Sequence, residues 1–342
     1  IFFGLRKEWS IVDKVKDILV VYPSYTWQAY NTQGGESFYT PKPDLLFQVS
    51  LDRPVNSSIL NDYHNARSSI PFSKLLQDSG YSVLDVTDND LNNNPDLLKK
   101  VKLVVFTSHA EYWTVEVRKA LDDYVMNGGK IIWLIDKMDA HLDSIQKYKF
   151  YVPKEYPLGL DDMWFKYGAR IQPNFVLDLQ STAIPQVIGQ SGGRPQTQLF
   201  PWFYHPLAAP ASTHPIVKNL DRVNMYWPST IDTIQTKTHV QKTVLLASSQ
   251  YSRYQMNPVR LNFEILKIEP DPSKFNKGRQ PVALMLEGQF PSLFENRVDE
   301  SFKKTLESIN QPFRAVSVPT KQLIVSDSDF AANWFNERTQ ES

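Results

Sequence analysis

Apolar and polar positions in the first 150 residues alternate between two patterns. Short continuous apolar runs recur at residues 18–22 (Ile-Leu-Val-Val-Tyr), 103–106 (Leu-Val-Val-Phe) and 131–135 (Ile-Ile-Trp-Leu-Ile). Runs of this length predict strands buried on both faces. Residues 81–86 predict a further strand. Between the runs the spacing turns helical. Residues 59–78 carry Ile59, Tyr63, Ile70, Leu75 and Leu76 on one side, with Gly80 as the stop and Pro71 expected to divide the helix in two. Residues 96–100 predict a short helix behind Pro95. Thr114 is a suitable N-cap for Val117, Ala120, Leu121, Tyr124 and Val125, and Gly128-Gly129 ends that helix. Residues 23–58, rich in Gly, Pro, Ser and Asn, read as an extended loop of the kind that usually carries function.

This alternation predicts an α/β fold in which helices cover both faces of a mostly parallel sheet. Ligands of such sheets sit at the carboxyl ends of the strands. Those ends open here into residues 23–58, 107–113 and 136–141. The second half has a different grain, with frequent prolines and shorter strands expected at 175–179, 185–188, 242–247, 259–263, 282–286 and 322–325. Helices are expected at 160–167, 300–309 and 330–337. No internal repeat or low-complexity segment occurs.

Charge and composition narrow the function. Lys+Arg and Asp+Glu number 37 each, so the net charge is zero. That argues against a broad basic face for nucleic acid or for a membrane surface. The absence of cysteine excludes disulfides, thiolate nucleophiles and Cys-ligated metals. No apolar run approaches the ~20 residues that span a bilayer. The chain opens at Ile1, which reads as a processed form or an excised piece of a longer protein.

Two clusters could carry chemistry. Ser108-His109-Ala110-Glu111-Tyr112-Trp113 follows a buried strand and precedes a helix, so His109 and Glu111 can face one cleft as a metal pair or an acid/base pair. A capping and packing role for the same residues stands beside that reading. The run from Tyr25 through Trp27, Tyr30 and Asn31, with Gly34, Gly35 and Tyr39 behind it, suits a pocket for a small polar ligand, and tyrosinate oxygens can hold a hard cation. A loop pinned by buried aromatics is the alternative. His141 with Asp136 and Asp139 could hold a divalent ion or start a solvated helix. Ser326-Asp-Ser-Asp329 reads as a helix N-terminus, and His205 and His214 read as loop packing. Ser191-Gly-Gly-Arg194 lacks the Lys-Ser/Thr of a phosphate loop, and no Ser nucleophile elbow or zincin motif is present.

Over about residues 124–335 the chain resembles the soluble region of the gliding-associated ABC transporter accessory component. The resemblance is carried by Tyr124-Val-Met-Asn-Gly-Gly-Lys-Ile-Ile-Trp-Leu-Ile-Asp136, Leu160-Asp-Asp-Met-Trp-Phe-Lys-Tyr-Gly-Ala-Arg-Ile171, Gln196-Thr-Gln-Leu-Phe-Pro-Trp202, His214-Pro-Ile-Val-Lys-Asn-Leu220, Pro281-Val-Ala-Leu-Met-Leu-Glu-Gly-Gln-Phe290 and Lys321-Gln-Leu-Ile-Val-Ser-Asp327. It implies a non-catalytic, envelope-facing subunit on the periplasmic side of the inner membrane. Its partners would be an ABC permease and an ATPase, and it would need no cofactor. Over about residues 19–118 the chain resembles the large subunit of N,N-dimethylformamidase, on Tyr25-Thr-Trp-Gln-Ala-Tyr-Asn31, Ser50-Leu-Asp-Arg-Pro54 and His109-Ala-Glu-Tyr-Trp113. That resemblance implies a glutamine-amidotransferase-like fold and a mononuclear iron held by two tyrosines and a glutamate, with a histidine nearby. Glu111 matches the glutamate, His109 the catalytic histidine and Tyr30 one tyrosine.

Both resemblances imply an α/β, flavodoxin-like or glutamine-amidotransferase-like three-layer parallel sheet over residues 1–148, with a β-rich second part over 149–342. The leading expectation is an accessory or binding domain of an ABC-type transport or gliding system. The alternative is an iron-dependent amidohydrolase acting on a small amide. In either case the expected ligand pocket comprises Tyr25, Trp27, Tyr30, Asn31, Arg53 and Tyr112, with Tyr30 and Glu111 as the metal ligands of the second reading.

Overall fold

The computed structural model describes residues 15–31, 37–38, 50, 53, 64–107, 110–308 and 312–331. In chain order the strands are β1 (Lys16–Tyr22), β2 (Val83–Thr87), β3 (Val101–Phe106), β4 (Lys130–Leu134), β5 (Ala169–Ile171), β6 (Asn174–Asp178), β7 (Ser181–Ser191), β8 (Arg194–Pro210), β9 (Val223–Asn224), β10 (Ile231–Thr233), β11 (Val240–Ala247), β12 (Ser252–Met256), β13 (Pro281–Gly288) and β14 (Thr320–Val325). The α-helices are α1 (Ser24–Tyr30), α2 (His64–Asp78), α3 (Asp88–Asn93), α4 (Val115–Met126), α5 (Leu142–Tyr148), α6 (Asp161–Tyr167) and α7 (Glu300–Ser308).

One sheet of ten strands runs in the order β2-β1-β3-β4-β14-β13-β11-β8-β7, with β9 on β8. Its first five strands are parallel. The apolar runs explain why both faces of that half are covered. Leu19 and Val21 point to the side where Val104, Phe106, Ile131 and Trp133 meet Val117, Leu121 and Val125 of α4. Ile18, Val20 and Tyr22, one residue out of step, point to the other side with Val105, where Phe72 and Leu76 of α2 pack. Alternate residues of one strand thus fill two cores. Burying each such side chain contributes roughly 1.5–3 kcal/mol. Thr114 caps α4 as its sequence suggests, accepting from the Val117 N–H at 3.2 Å.

The β-rich second part extends the same sheet with its strands beyond β14 antiparallel. β13, β11, β8 and β7 are antiparallel to their neighbours. A run such as Val282–Met285 is buried on both faces and reads the same in either orientation, so composition does not reveal the switch. β14 returns late in the chain to pair with β4, and the Trp133 indole N–H donates to Gln322 Oε1 at 2.8 Å across that seam.

Local corrections follow the same logic. The segment 23–58 opens with α1 rather than loop, because Pro23 starts a turn and nothing from Ser24 to Tyr30 breaks it. α2 runs unbroken through Pro71, held by Phe72 and Leu76 on the sheet, and residues 59–63 lie outside the described residues. Residues 259–263 form no strand: Leu261 bridges Tyr151, and a 3-10 turn over Phe263–Lys267 follows. The helix expected at 330–337 is a 3-10 turn over Ser328–Ala331, beyond which the chain is outside the described residues. His205 lies in β8 and is buried there, not in a loop. Ser191-Gly-Gly-Arg194 is the tip of the β7–β8 hairpin. Gly192 (φ +58°) and Gly193 (φ +74°) take the left-handed backbone that a tight two-residue turn demands.

Candidate functional site

β1 has β2 on one side and β3 on the other, so the connections leaving β1 and β3 part at their carboxyl ends and leave a crevice between them. α1 begins immediately after β1 and is fastened at both ends. At its start, Asp88 on the first turn of α3 accepts from the Ser24 hydroxyl, from the Tyr25 N–H (3.2 Å) and from the Asn89 N–H (2.8 Å). The Tyr25 hydroxyl donates to Asn89 Oδ1 at 3.2 Å. α3 is itself started by a capping box between Thr87 and Asp90. It also receives the Thr114 hydroxyl on Asn92 at 2.6 Å, so α1, α3 and α4 meet at one rim.

At the far end of α1, the Tyr30 hydroxyl donates to Glu111 Oε1 at 2.7 Å, and the Glu111 N–H donates to Thr26 Oγ1 at 2.9 Å. The turns leaving β1 and β3 therefore meet, as the strand-end argument requires. Glu111 is buried. Its side-chain oxygen accepts from the Tyr30 hydroxyl, which ties the two turns together. Replacing Tyr30 by Phe and Glu111 by Ala, singly and together, is expected to give a coupling free energy of about 1–2 kcal/mol in urea unfolding. Additive losses would mean that the contact carries no weight.

The other expected pocket residues divide into two groups. Tyr25 and Tyr112 line an open cleft of about 420 Å³ together with Gln28, Ala29, Phe38, Trp113 and Thr114. Trp27, Asn31 and Arg53 do not line it; they lie buried behind it. Trp27 packs on Tyr22 (ring centroids 5.9 Å apart) in the core beneath α2. The Asn31 amide donates to Gln28 Oε1 at 3.0 Å. Arg53 donates to the carbonyls of Gln28 and Ser50, while Gln28 Nε2 donates to Arg53 O at 3.4 Å. These contacts hold the backbone that frames the cleft. His109 lies outside the described residues.

Sequence reasoning missed Asp88 and Phe38, and named Thr26 and Trp113 only as members of longer motifs. Thr87-x-x-Asp90 directly after a strand is a capping-box signature, so it could have placed Asp88 at the crevice. Phe38 had no local signal, since its place depends on the fold: it meets Tyr112 (6.5 Å), while Trp113 packs on Phe106 (4.8 Å).

Electrostatics at the rim are acidic. Burial pushes the Asp88 carboxyl up to about 7, against the pull of the Ser24 hydroxyl and three backbone N–H groups. Burial, then the negative charges of Asp88, Asp90 and Glu116, push the Tyr25 hydroxyl up to about 12. Burial first, then Asp139, Tyr30, Glu111 and Asp136, hold Tyr156 well above the ordinary tyrosine range. The residues suggested as a divalent-ion set are engaged with one another, with tyrosine and serine hydroxyls or with backbone. Asp139 accepts from the Tyr151 hydroxyl and from Tyr156 (3.2 Å), and lies 3.5 Å from His141 Nε2. Asp136 accepts from the Ser328 N–H at 2.7 Å and from its hydroxyl. Among the described residues no group of three or more His, Asp or Glu is arranged to hold a metal. Tyr30 and Glu111 contribute two oxygens joined by a hydrogen bond, which does not by itself make up a mononuclear iron centre.

Known proteins add the following. An uncharacterized protein of Borreliella burgdorferi is 24% identical over 201 residues, which is 58% of this chain and 38% of the relative's length. The structure described as the mmIFT52 N-terminal domain aligns with a TM-score of 0.39 and 11% identity, covering 76% of this chain and 81% of that one. ThuA-like proteins from Bacteroides uniformis (TM-score 0.36, 13% identity, 92% and 83% covered) and Parabacteroides merdae (0.34, 12%, 92% and 79%) align over more of the chain. The model of the family described as "ABC-type uncharacterized transport system" matches residues 64–342, most of the chain, and the protein belongs to that family of ABC transporter auxiliary components.

Proposed function

We propose that this is a non-catalytic auxiliary domain of an ABC-type transport system of the gliding-associated kind. It would bind its ligand in the crevice between β1 and β3 and work beside the permease and ATPase subunits on the periplasmic side of the inner membrane. Family membership supports the transport half of this reading. The observation that carries the binding half is the crevice itself. Glu111 is occupied by Tyr30 and does not line the open cleft, whose wall is aromatic with the Gln28 amide. Such a wall suits recognition of a small ligand. The parallel order β2-β1-β3-β4-β14 supports reading this half as flavodoxin-like, with the ligand at the β1/β3 divide.

Affinity purification of the tagged, full-length protein from its native membranes tests the reading. Recovery of an ABC permease and its ATPase is expected, and recovery of neither contradicts it. The convergence of Tyr30 and Glu111 is the one observation that favours the amidohydrolase alternative. About one iron per chain after iron-supplemented expression, together with hydrolysis of a small amide, would establish that alternative in place of the first reading.

A further inference from the structure

We propose that the cleft formed by Tyr25, Phe38, Tyr112 and Trp113 takes amphiphilic organic cations, molecules with an aromatic or alkyl body and a protonated amine. The inference rests on the reading of the crevice as a binding site and names the chemistry of its ligand.

The first part of the argument is how little polar recognition the described wall offers. The Tyr25 hydroxyl is given to Asn89 (3.2 Å), Thr114 Oγ1 to Asn92 (2.6 Å) and the Trp113 indole N–H to the Ala110 carbonyl (3.2 Å). Both ends of the Gln28 amide are used, by Asn31 and by the Arg53 carbonyl. A ligand therefore gains there mainly by covering the rings of Phe38, Tyr112 and Trp113, and about 420 Å³ suits a small-molecule body.

The second part is charge. Asp88 and Asp90 stand on the first turn of α3, whose Asn89 holds the Tyr25 hydroxyl. Glu116 stands on the first turn of α4, two residues beyond Thr114 of the wall. Asp88, raised by burial to about 7, carries only part of its charge at neutral pH, and Asp90 and Glu116 add negative charge beside the Tyr25 hydroxyl. An anionic ligand is repelled by this rim and a cationic one is drawn to it. The faces of the exposed rings add a further attraction of about 0.5–1 kcal/mol for a cation that reaches them.

Three indole probes differing only in charge test the proposal: tryptamine (cation), tryptophol (neutral) and indole-3-acetate (anion). Each is titrated calorimetrically into the whole chain at neutral pH and low ionic strength. Tryptamine is expected to bind about tenfold tighter than tryptophol, with indole-3-acetate weakest. Glu116→Gln, an exposed change, is expected to shrink that preference, as is raised salt. Tyr112→Ala is expected to weaken every probe by about tenfold while the thermal melt shows the variant folded. Equal or tighter binding of tryptophol or indole-3-acetate overturns the cation assignment but leaves a binding crevice in place. Binding that is undetectable, or indifferent to Tyr112→Ala, overturns the assignment and the crevice reading together.

Discussion

Asp122→Ala is expected to cost about 3–5 kcal/mol of folding stability, measured as the shift in the urea midpoint. Asp122 is buried in α4 and joins three parts of the chain. It accepts from the Tyr167 hydroxyl on α6 (2.7 Å), from the Ser292 hydroxyl (2.6 Å) and from the Leu293 N–H (2.8 Å), the last two in the segment after β13. Truncation leaves all three donors buried and unpaired, which is the expensive way to lose hydrogen bonds. Desolvation raises the Asp122 carboxyl, and the three donors oppose the rise. Asp122→Asn keeps one acceptor oxygen and is expected to recover part of the loss. A cost below about 1 kcal/mol for the Ala variant would show that the network does not hold α4 and α6 together.

The second large effect is a loss of stability in acid that traces to His205. Its ring is buried against Tyr226 and Trp227 (centroids 4.8 and 5.2 Å away), and among the described residues Nε2 has no hydrogen-bond partner. Burial pulls this imidazole down to about 3 from an ordinary 6.5. The unfolded chain therefore takes up the proton first as pH falls. Stability from this group is whole above pH 6.5 and drains away between 6.5 and 3. At pH 4 the cost is about 3 kcal/mol. Buried carboxyls work the other way. Asp88, Asp178 and Asp327 are raised by burial, so their protonation favours the folded state as pH falls. The His205 contribution is therefore read as a difference. His205→Phe keeps the ring contacts, and relative to the parent it is expected to gain about 3 kcal/mol at pH 4 over its value at pH 7.5, by urea unfolding at each pH. Parallel stability curves for the two proteins would contradict the assignment.

The strands of the parallel half were legible because a run such as Ile18–Tyr22 must be buried on both faces, and α4 was legible because Thr114 and Gly128-Gly129 mark its ends. The antiparallel half was not, since a strand covered on both faces carries no mark of its direction. α1 was hidden because the residues after it are rich in Gly, Pro and Ser, while its own seven residues are held by Asp88 and Glu111, 64 and 81 positions further along from Ser24 and Tyr30. The meeting of Tyr30 and Glu111 followed from strand-end logic. The sorting of Trp27, Asn31 and Arg53 into the wall's backing did not, because a residue's side of a short helix depends on what that helix packs against. Nothing local in the sequence marked Phe38 as a neighbour of Tyr112.

The central claim is that the crevice built by α1 and the turn after β3 is where this auxiliary domain engages what it binds. Hydrogen exchange followed by mass spectrometry, comparing the isolated chain with the chain saturated with tryptamine, tests this most directly. The account predicts added protection in peptides covering residues 24–31 and 110–116. Protection confined to the β7–β8 hairpin or other distant strands, with those two peptides exchanging as in the isolated chain, would contradict it.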